Sequence, residues 1–324
     1  MKRDVTFDIM KGLGILLVII GHTNDIPYIL NNFICSFHMP LFFLLSGYFY
    51  SPQKNNILIK KNAKRLLSPY VFTGFIIIFL NIVIATNSNN YNLIWKSIIA
   101  VLYGTGSKHT SLYWGDMPYI GPIWFLLALF WAKLIWNYIV KINAKSDVKL
   151  IVALLISFLA TLLDRYFINL PFSFLPGLSA IIFIAIGQEI KNYKLPIWTK
   201  VFLLGCWGVC IFHSQLYMVR CWYGHYFLDI LGALGGTLFF FYLSRFTKMR
   251  FIASALSWFG INSMAILCFH TIDLQCGFID SFPWYVTIPV RIIIYSVVTL
   301  GLFKVGFIRK IYGINQCSIY NNSV

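Results

Sequence analysis

Apolar stretches about 20 residues long recur from one end of the 324-residue chain to the other. An α-helix needs about that many residues to cross a hydrocarbon core about 30 Å thick. Ten such windows can be drawn, at roughly 8–24, 31–50, 67–86, 121–140, 148–164, 171–190, 197–217, 226–244, 252–272 and 284–304. With 59% hydrophobic, 18% aromatic and only 11% charged residues, the chain carries too much apolar surface for a water-soluble globule. The expected class is all-α integral membrane: one bundle of about ten transmembrane helices, without a separate soluble domain.

The net charge of +16 is informative through its distribution. Basic residues crowd into alternate connections, most densely at Lys54, Lys60, Lys61, Lys64 and Arg65, while the connections between them hold only Lys96, Lys108, Arg165 and Arg220. The positive-inside rule then predicts both termini on the cytoplasmic side. A nucleic-acid partner is not implied. Asp8 and Lys11 interrupt the first apolar run and no small-x-small cleavage site follows, so the run reads as a first span and not as a secretory signal. The cysteines lack a zinc-ligand spacing, and no metal is expected. Cys221 and Cys276 fall in or beside outer connections, where a disulfide between them is expected. The longest connection, 87–120, is expected to carry a short interfacial helix over 93–102, anchored by Trp95 and Tyr103.

Ionisable side chains inside spans are costly in hydrocarbon and therefore point to function. In the first span, Lys11 and His22 are eleven residues apart, about three helical turns, so both project from one face about 16 Å apart along the axis. Asp8, one turn before Lys11, is placed to pair with it. The second span carries His38 and then Pro40, which predicts a kink and a freed carbonyl beside a polar cavity. Asn262 and His270 lie in the ninth window, Trp124 opens the fourth, and Arg291 lies a third of the way into the last, too deep to snorkel and so directed inward. Lys133 reads as snorkelling to the cytoplasmic face. A single histidine near a span end is ordinarily an interfacial or packing residue, as His213 and His225 are read here. His22 differs in its depth, its face shared with Lys11, and the nearby His38.

The stretches DIMKGLGILLVIIGH and FICSFHMPLFFLLSGYFY, then GPIWFLLALF and FGINSMAILCFH, occur in that order along the chain. They resemble the acyltransferase 3 family of integral membrane acyltransferases, which O-acylate bacterial surface sugars. Lys11 and His22 fit the family's first-span spacing. One departure is KKNAKRLLSPY, where Lys61 and Lys64 stand at the spacing of an Arg-x-x-Arg pair, so charge is kept but two guanidinium forks are not. The overall look is that of the stand-alone fucose- and exopolysaccharide-acetylating subgroup, a single transmembrane domain over 1–324.

The resemblance implies a multi-pass protein of the bacterial cytoplasmic membrane. It would use acetyl-CoA as acyl donor and a glycan or lipid-linked sugar as acceptor, with membrane lipid as its other partner. Polyanionic acyl-CoA would dock at Lys61, Lys64 and Arg65, with Lys11 held by Asp8. His22 is the expected base, His38 the residue nearest to it, and Trp124, Asn262, His270 and Arg291 are expected to shape the acceptor side. The same ionisable residues also admit a transporter with a proton or substrate path, and a non-catalytic partner in polysaccharide assembly.

Overall fold

The computed structural model describes residues 4–107, 109–111, 115–166, 170–191, 193–247, 249–277, 279 and 282–314. The chain opens with α1 (Val5–Gly21), α2 (Tyr28–Cys35), α3 (His38–Tyr48), α4 (Asn55–Asn62), a π-helical turn over Ala63–Leu67, α5 (Ser68–Ser88) and α6 (Asn92–Tyr103). A short antiparallel pair, β1 (His109–Ser111) and β2 (Gly115–Met117), precedes α7 (Trp124–Val140), α8 (Ser146–Tyr166), α9 (Phe174–Ser179), α10 (Ile181–Ile190) and α11 (Ile197–His213). A second small pair follows, β3 (Leu216–Tyr217) and β4 (Trp222–Tyr223). The chain then continues through α12 (Tyr226–Phe246), α13 (Arg250–Ile261), α14 (Ser263–Cys276), α15 (Trp284–Leu302) and α16 (Gly306–Tyr312).

The fold is all-α, with helix in every one of the ten apolar windows. Among the described residues, five helical runs are long and apolar enough to cross a membrane: Tyr28–Tyr48, Asn55–Ser88, Ser146–Tyr166, Tyr226–Phe246 and Trp284–Leu302. Counting the α13–α14 pair, bent by 69°, as one span gives six. The other windows give shorter helices because backbone breaks trim them. At α7, for example, Gly121 (φ +78°) and Pro122 delay the helix until Trp124. The 93–102 segment is helical, within α6, with Trp95 66% exposed.

Two pairs of helices meet backbone to backbone. A Cβ on Gly12 would lie 1.9 Å from the carbonyl oxygen of Leu256, and one on Gly260 would lie 1.8 Å from that of Asp8, so α1 and α13 touch through glycines on both sides. Gly47 against Ile184, at 2.1 Å, and Gly187 against Leu44, at 2.2 Å, repeat the arrangement between α3 and α10. In lipid, where burial of apolar surface gives helices little reason to associate, such close approach supplies the dispersion contacts that hold them. Many large apolar residues, among them Phe75, Phe79, Phe227 and Phe251, point outward from the bundle.

The second window breaks one turn earlier than its proline. Pro40 is the third residue of α3, where no N–H is needed, and α2 ends before Phe37 (φ −148°, ψ −20°), because the ring excludes a helical carbonyl four residues back. The expected disulfide is not formed. Cys221 and Cys276 are free thiols, and Cys221 is buried against Ala160 and Leu175 while Cys276 ends α14.

Candidate active site

Three cavities follow one another along α1. The first, about 420 Å³, is a mouth lined by Lys11, Lys61, Arg65 and Lys133 together with Ser46, Ser51 and Gln53. The second, about 70 Å³, is a neck bounded by Ile15, Val18, Met39, Phe42, Phe125 and Met264, and it ends at His22. Phe42, Phe125 and Met264 border both mouth and neck. The third, about 80 Å³, is a far pocket beside His22, His38, Cys35, Trp124, Tyr217 and Val219. Helix geometry accounts for the order: residues 11, 15, 18 and 22 of α1 follow a single stripe.

The mouth concentrates positive charge. Lys11 is held by Asp8, Nζ to Oδ1 3.7 Å, and lies 5.8 Å from the centroid of the Phe49 ring. Lys61 closes α4 and Arg65 lies in the π-helical turn one step on, so both reach the mouth; Lys64, on the same turn, does not line it. Lys133 of α7 does line it and pairs with no carboxylate among the described residues, so it is part of the mouth and not a snorkelling side chain. Asn137, fully buried one turn further along α7, ties the opposite lip down. Its Oδ1 accepts from the Tyr50 hydroxyl and from the Gln53 amide (3.1 Å), and its Nδ2 donates to Asn55 Oδ1 (2.7 Å) and to the Gln53 carbonyl (3.1 Å).

His22 caps the C-terminal end of α1. Protein surrounds it, yet its side chain keeps accessible surface because both neck and far pocket open onto it. Behind it stands a polar chain closed to solvent. The Arg291 guanidinium, fully buried, donates from Nε to Asp273 Oδ2 (2.9 Å) and from Nη1 to the His22 carbonyl (3.4 Å) and Thr23 Oγ1 (3.3 Å). Tyr295 donates its hydroxyl to the same Asp273 oxygen (2.7 Å). With that proton committed, the contact of Tyr295 with His270 Nδ1 (3.0 Å) requires His270 to donate, which leaves the lone pair on His270 Nε2. That nitrogen has no partner among the described residues, and its ring lies 5.5 Å from the His22 ring, centroid to centroid.

His38 has a second task. Its Nδ1 donates to the Ile34 carbonyl (2.7 Å), which also accepts from the Phe37 amide (3.4 Å), and Ser36 Oγ donates to the Phe33 carbonyl (2.8 Å), so both side chains tie down the α2–α3 break. This fixes the tautomer of His38 and leaves its Nε2 as an acceptor. Trp124, at the first turn of α7, borders neck and far pocket, and its ring rests against Gly106. Asn262 lies at the α13–α14 bend, donating to the Trp258 carbonyl (3.0 Å), with Ser263 and Met264 beside it in the neck. His270, Arg291 and Asn262 thus lie behind the cavities and do not line them, whereas Trp124 does. Sequence reasoning missed Lys133, Asn137, Asp273 and Tyr295; a polar residue inside an apolar helix is the signal each one carried.

A charged mouth, an apolar neck and a histidine backed by a buried polar chain, all in a helical membrane bundle, are parts suited to group transfer inside the membrane. The sequence profile of the acyltransferase domain family Acyl_transf_3 matches residues 4–303. The chain belongs to that family. Among characterised proteins it is similar to nodulation protein NolL of Mesorhizobium japonicum, 28% identical over 165 residues, covering 45% of this chain and 38% of the relative. It is also similar to NolL of Sinorhizobium fredii, 44% identical over 57 residues, covering 14% of this chain and 16% of the relative. The matched stretches span well under half of either relative. No solved structure is detectably similar to the chain.

Proposed function

We propose that the protein transfers an acyl group, in the first instance acetyl, from cytoplasmic acyl-CoA to a sugar hydroxyl of a surface polysaccharide or its lipid-linked precursor. The observation that carries this reading is the succession of cavities along α1, sharing wall residues, from four cations, past an apolar neck, to His22. The phosphates of the donor meet Lys11, Lys61, Arg65 and Lys133, and its slender pantetheine arm enters the neck with the thioester leading. Ten spans with both termini cytoplasmic would put the mouth on the side where acyl-CoA is made, and the far pocket on the side of the glycan.

In the far pocket an acceptor hydroxyl lies between His22 and the thioester carbonyl. The His22 imidazole takes the hydroxyl proton as the oxygen attacks. The C–S bond then breaks, the thiolate takes the proton back from the imidazolium, and ester and CoA thiol leave by opposite ends. His270, whose Nε2 lone pair is free and whose ring lies 5.5 Å from that of His22, takes up the His22 ring N–H when substrate fills the pocket, and Asp273, Tyr295 and Arg291 hold His270 in place. Trp124 offers a face for a sugar ring.

The test is label transfer from radiolabelled acetyl-CoA into glycan, in membranes holding the natural chain, His22→Ala or Lys11→Ala at matched levels. Label in glycan with the natural chain and none with His22→Ala supports the reading. Full activity in His22→Ala would sink the catalytic assignment and return the transporter reading to consideration.

A further inference from the structure

The largest of the cavities does not belong to the course just described. It encloses about 580 Å³, within the range of pockets that hold small ligands, and opens at the same end of the bundle as the mouth, on the other side of α3. Leu45 borders both. Its walls are apolar, formed by Met10, Leu44, Leu203, Leu234 and Leu238, but its rim carries Lys191, Lys194, Lys200 and Arg245. These four cations come from the end of α10, the segment after it, the start of α11 and the end of α12, so the tertiary fold and no single helix gathers them. None of them pairs with a carboxylate among the described residues.

Two further observations bear on what such a site takes. Thr237 lines the cavity, and its buried hydroxyl has no protein partner. The helices that frame the opening continue outward as bare apolar surface, with Val201 56% and Phe202 59% exposed on α11 and Phe246 66% exposed on α12. Four cations gathered without a carboxylate partner among the described residues favour an anion, and apolar walls running onto a lipid-facing surface favour hydrocarbon attached to it.

We propose that this cavity binds an anionic phospholipid. Lys191, Lys194, Lys200 and Arg245 surround its phosphate, and its acyl chains run along the apolar walls onto α11 and α12. Free phosphate would leave the walls empty, and a zwitterionic lipid would leave the rim charge uncompensated. Acyl-CoA has its own cations on the far side of α3. The inference is independent of the donor and acceptor proposed above.

The full-length protein, purified and delipidated, is titrated with short-chain phosphatidylglycerol, with phosphatidylcholine of equal chain length, with glycerol phosphate and with acetyl-CoA, following the melting temperature and bound mass by native mass spectrometry. Phosphatidylglycerol is expected to bind saturably. Each cation neutralised by Gln is expected to weaken that binding about fivefold, whereas Lys304→Gln and Lys310→Gln, at the same end of the chain's charge map, leave it unchanged. Should the four-Gln variant fail to fold, Leu238→Trp, which fills the cavity and keeps the cations, is expected to abolish binding in their place. The proposal is overturned by equal binding of phosphatidylcholine, which would make the site a plain apolar groove, or by glycerol phosphate competing as well as the lipid. Displacement of phosphatidylglycerol by acetyl-CoA from the four-cation site would overturn it as well.

Discussion

Arg291 and Asp273 form an ion pair sealed from solvent, Nε to Oδ2 2.9 Å, with side chains 0% and 5% exposed. Removing one partner leaves the other charge buried and unpaired, at a cost of about 3–5 kcal/mol. Asp273→Asn and Arg291→Met are each expected to lower the melting temperature sharply in detergent, and the double variant Asp273→Asn with Arg291→Met to recover part of the loss. Additive losses in that double-mutant cycle would show that the pair is not coupled.

His38 can be split into its two tasks. Asn retains an N–H donor near the position of Nδ1 and so keeps the bond to the Ile34 carbonyl; Phe removes it and leaves that carbonyl only the long Phe37 amide contact (3.4 Å), a loss of about 0.5–1.5 kcal/mol. His38→Asn is expected to melt close to the natural protein and His38→Phe below it. Label transfer by His38→Asn then reads the chemistry alone. Retained activity would assign His38 to holding the break, and lost activity would assign it to the reaction.

At the mouth, the structure separates neighbours that the sequence treats alike. Lys61→Gln, Arg65→Gln and Lys133→Met are each expected to raise KM for acyl-CoA about five- to tenfold with little change in kcat, more at low salt than at high. Lys64→Gln, off the lining, is expected to stay within twofold, a margin of order RT. A Lys64 effect as large as that of Arg65 in steady-state kinetics would overturn this division.

A Cβ on Gly106 would lie 2.3 Å from the Trp124 ring and 2.5 Å from Val219. Gly106→Val is therefore expected to push the indole into the far pocket, costing about 1–3 kcal/mol of stability and most of the transfer activity. A changed tryptophan emission together with lost activity is the expected signature; unaltered activity would mean that the pocket is not used by the acceptor.

How far the sequence foretold this site depends on whether a contact lies within one helix or between two. The common face of Lys11 and His22 and the pairing of Lys11 with Asp8 are consequences of helical period, and α1 is helical from Val5 to Gly21. Lys133 was misread because α7 faces the mouth only through its packing against α4 and the π-helical turn. Asp273 stands near the end of the ninth window, where nothing in the sequence shows what it will meet; the 69° bend at Asn262 turns its helix so that it meets Arg291 and Tyr295 of α15. The break at Phe37 follows from Pro40, whose steric conflict acts one turn upstream, so the proline announced it in the sequence. The cluster of cations around the 580 Å³ cavity was visible only as loop charge, since four separate segments supply it.

An enzyme that hands a group from one side of a membrane to the other faces a hazard that a soluble transferase does not, because a water-filled passage would dissipate the ion gradients the cell lives on. The constriction between mouth and His22, walled by Met39, Phe42, Phe125 and Met264 and holding only about 70 Å³, is suited to act as a plug. A strait that narrow and oily resists wetting, and without a file of water neither protons nor hydrated ions pass. On the proposed function, the thinness of the passage serves insulation as well as catalysis: it would admit a thread-like thioester while keeping the membrane electrically closed.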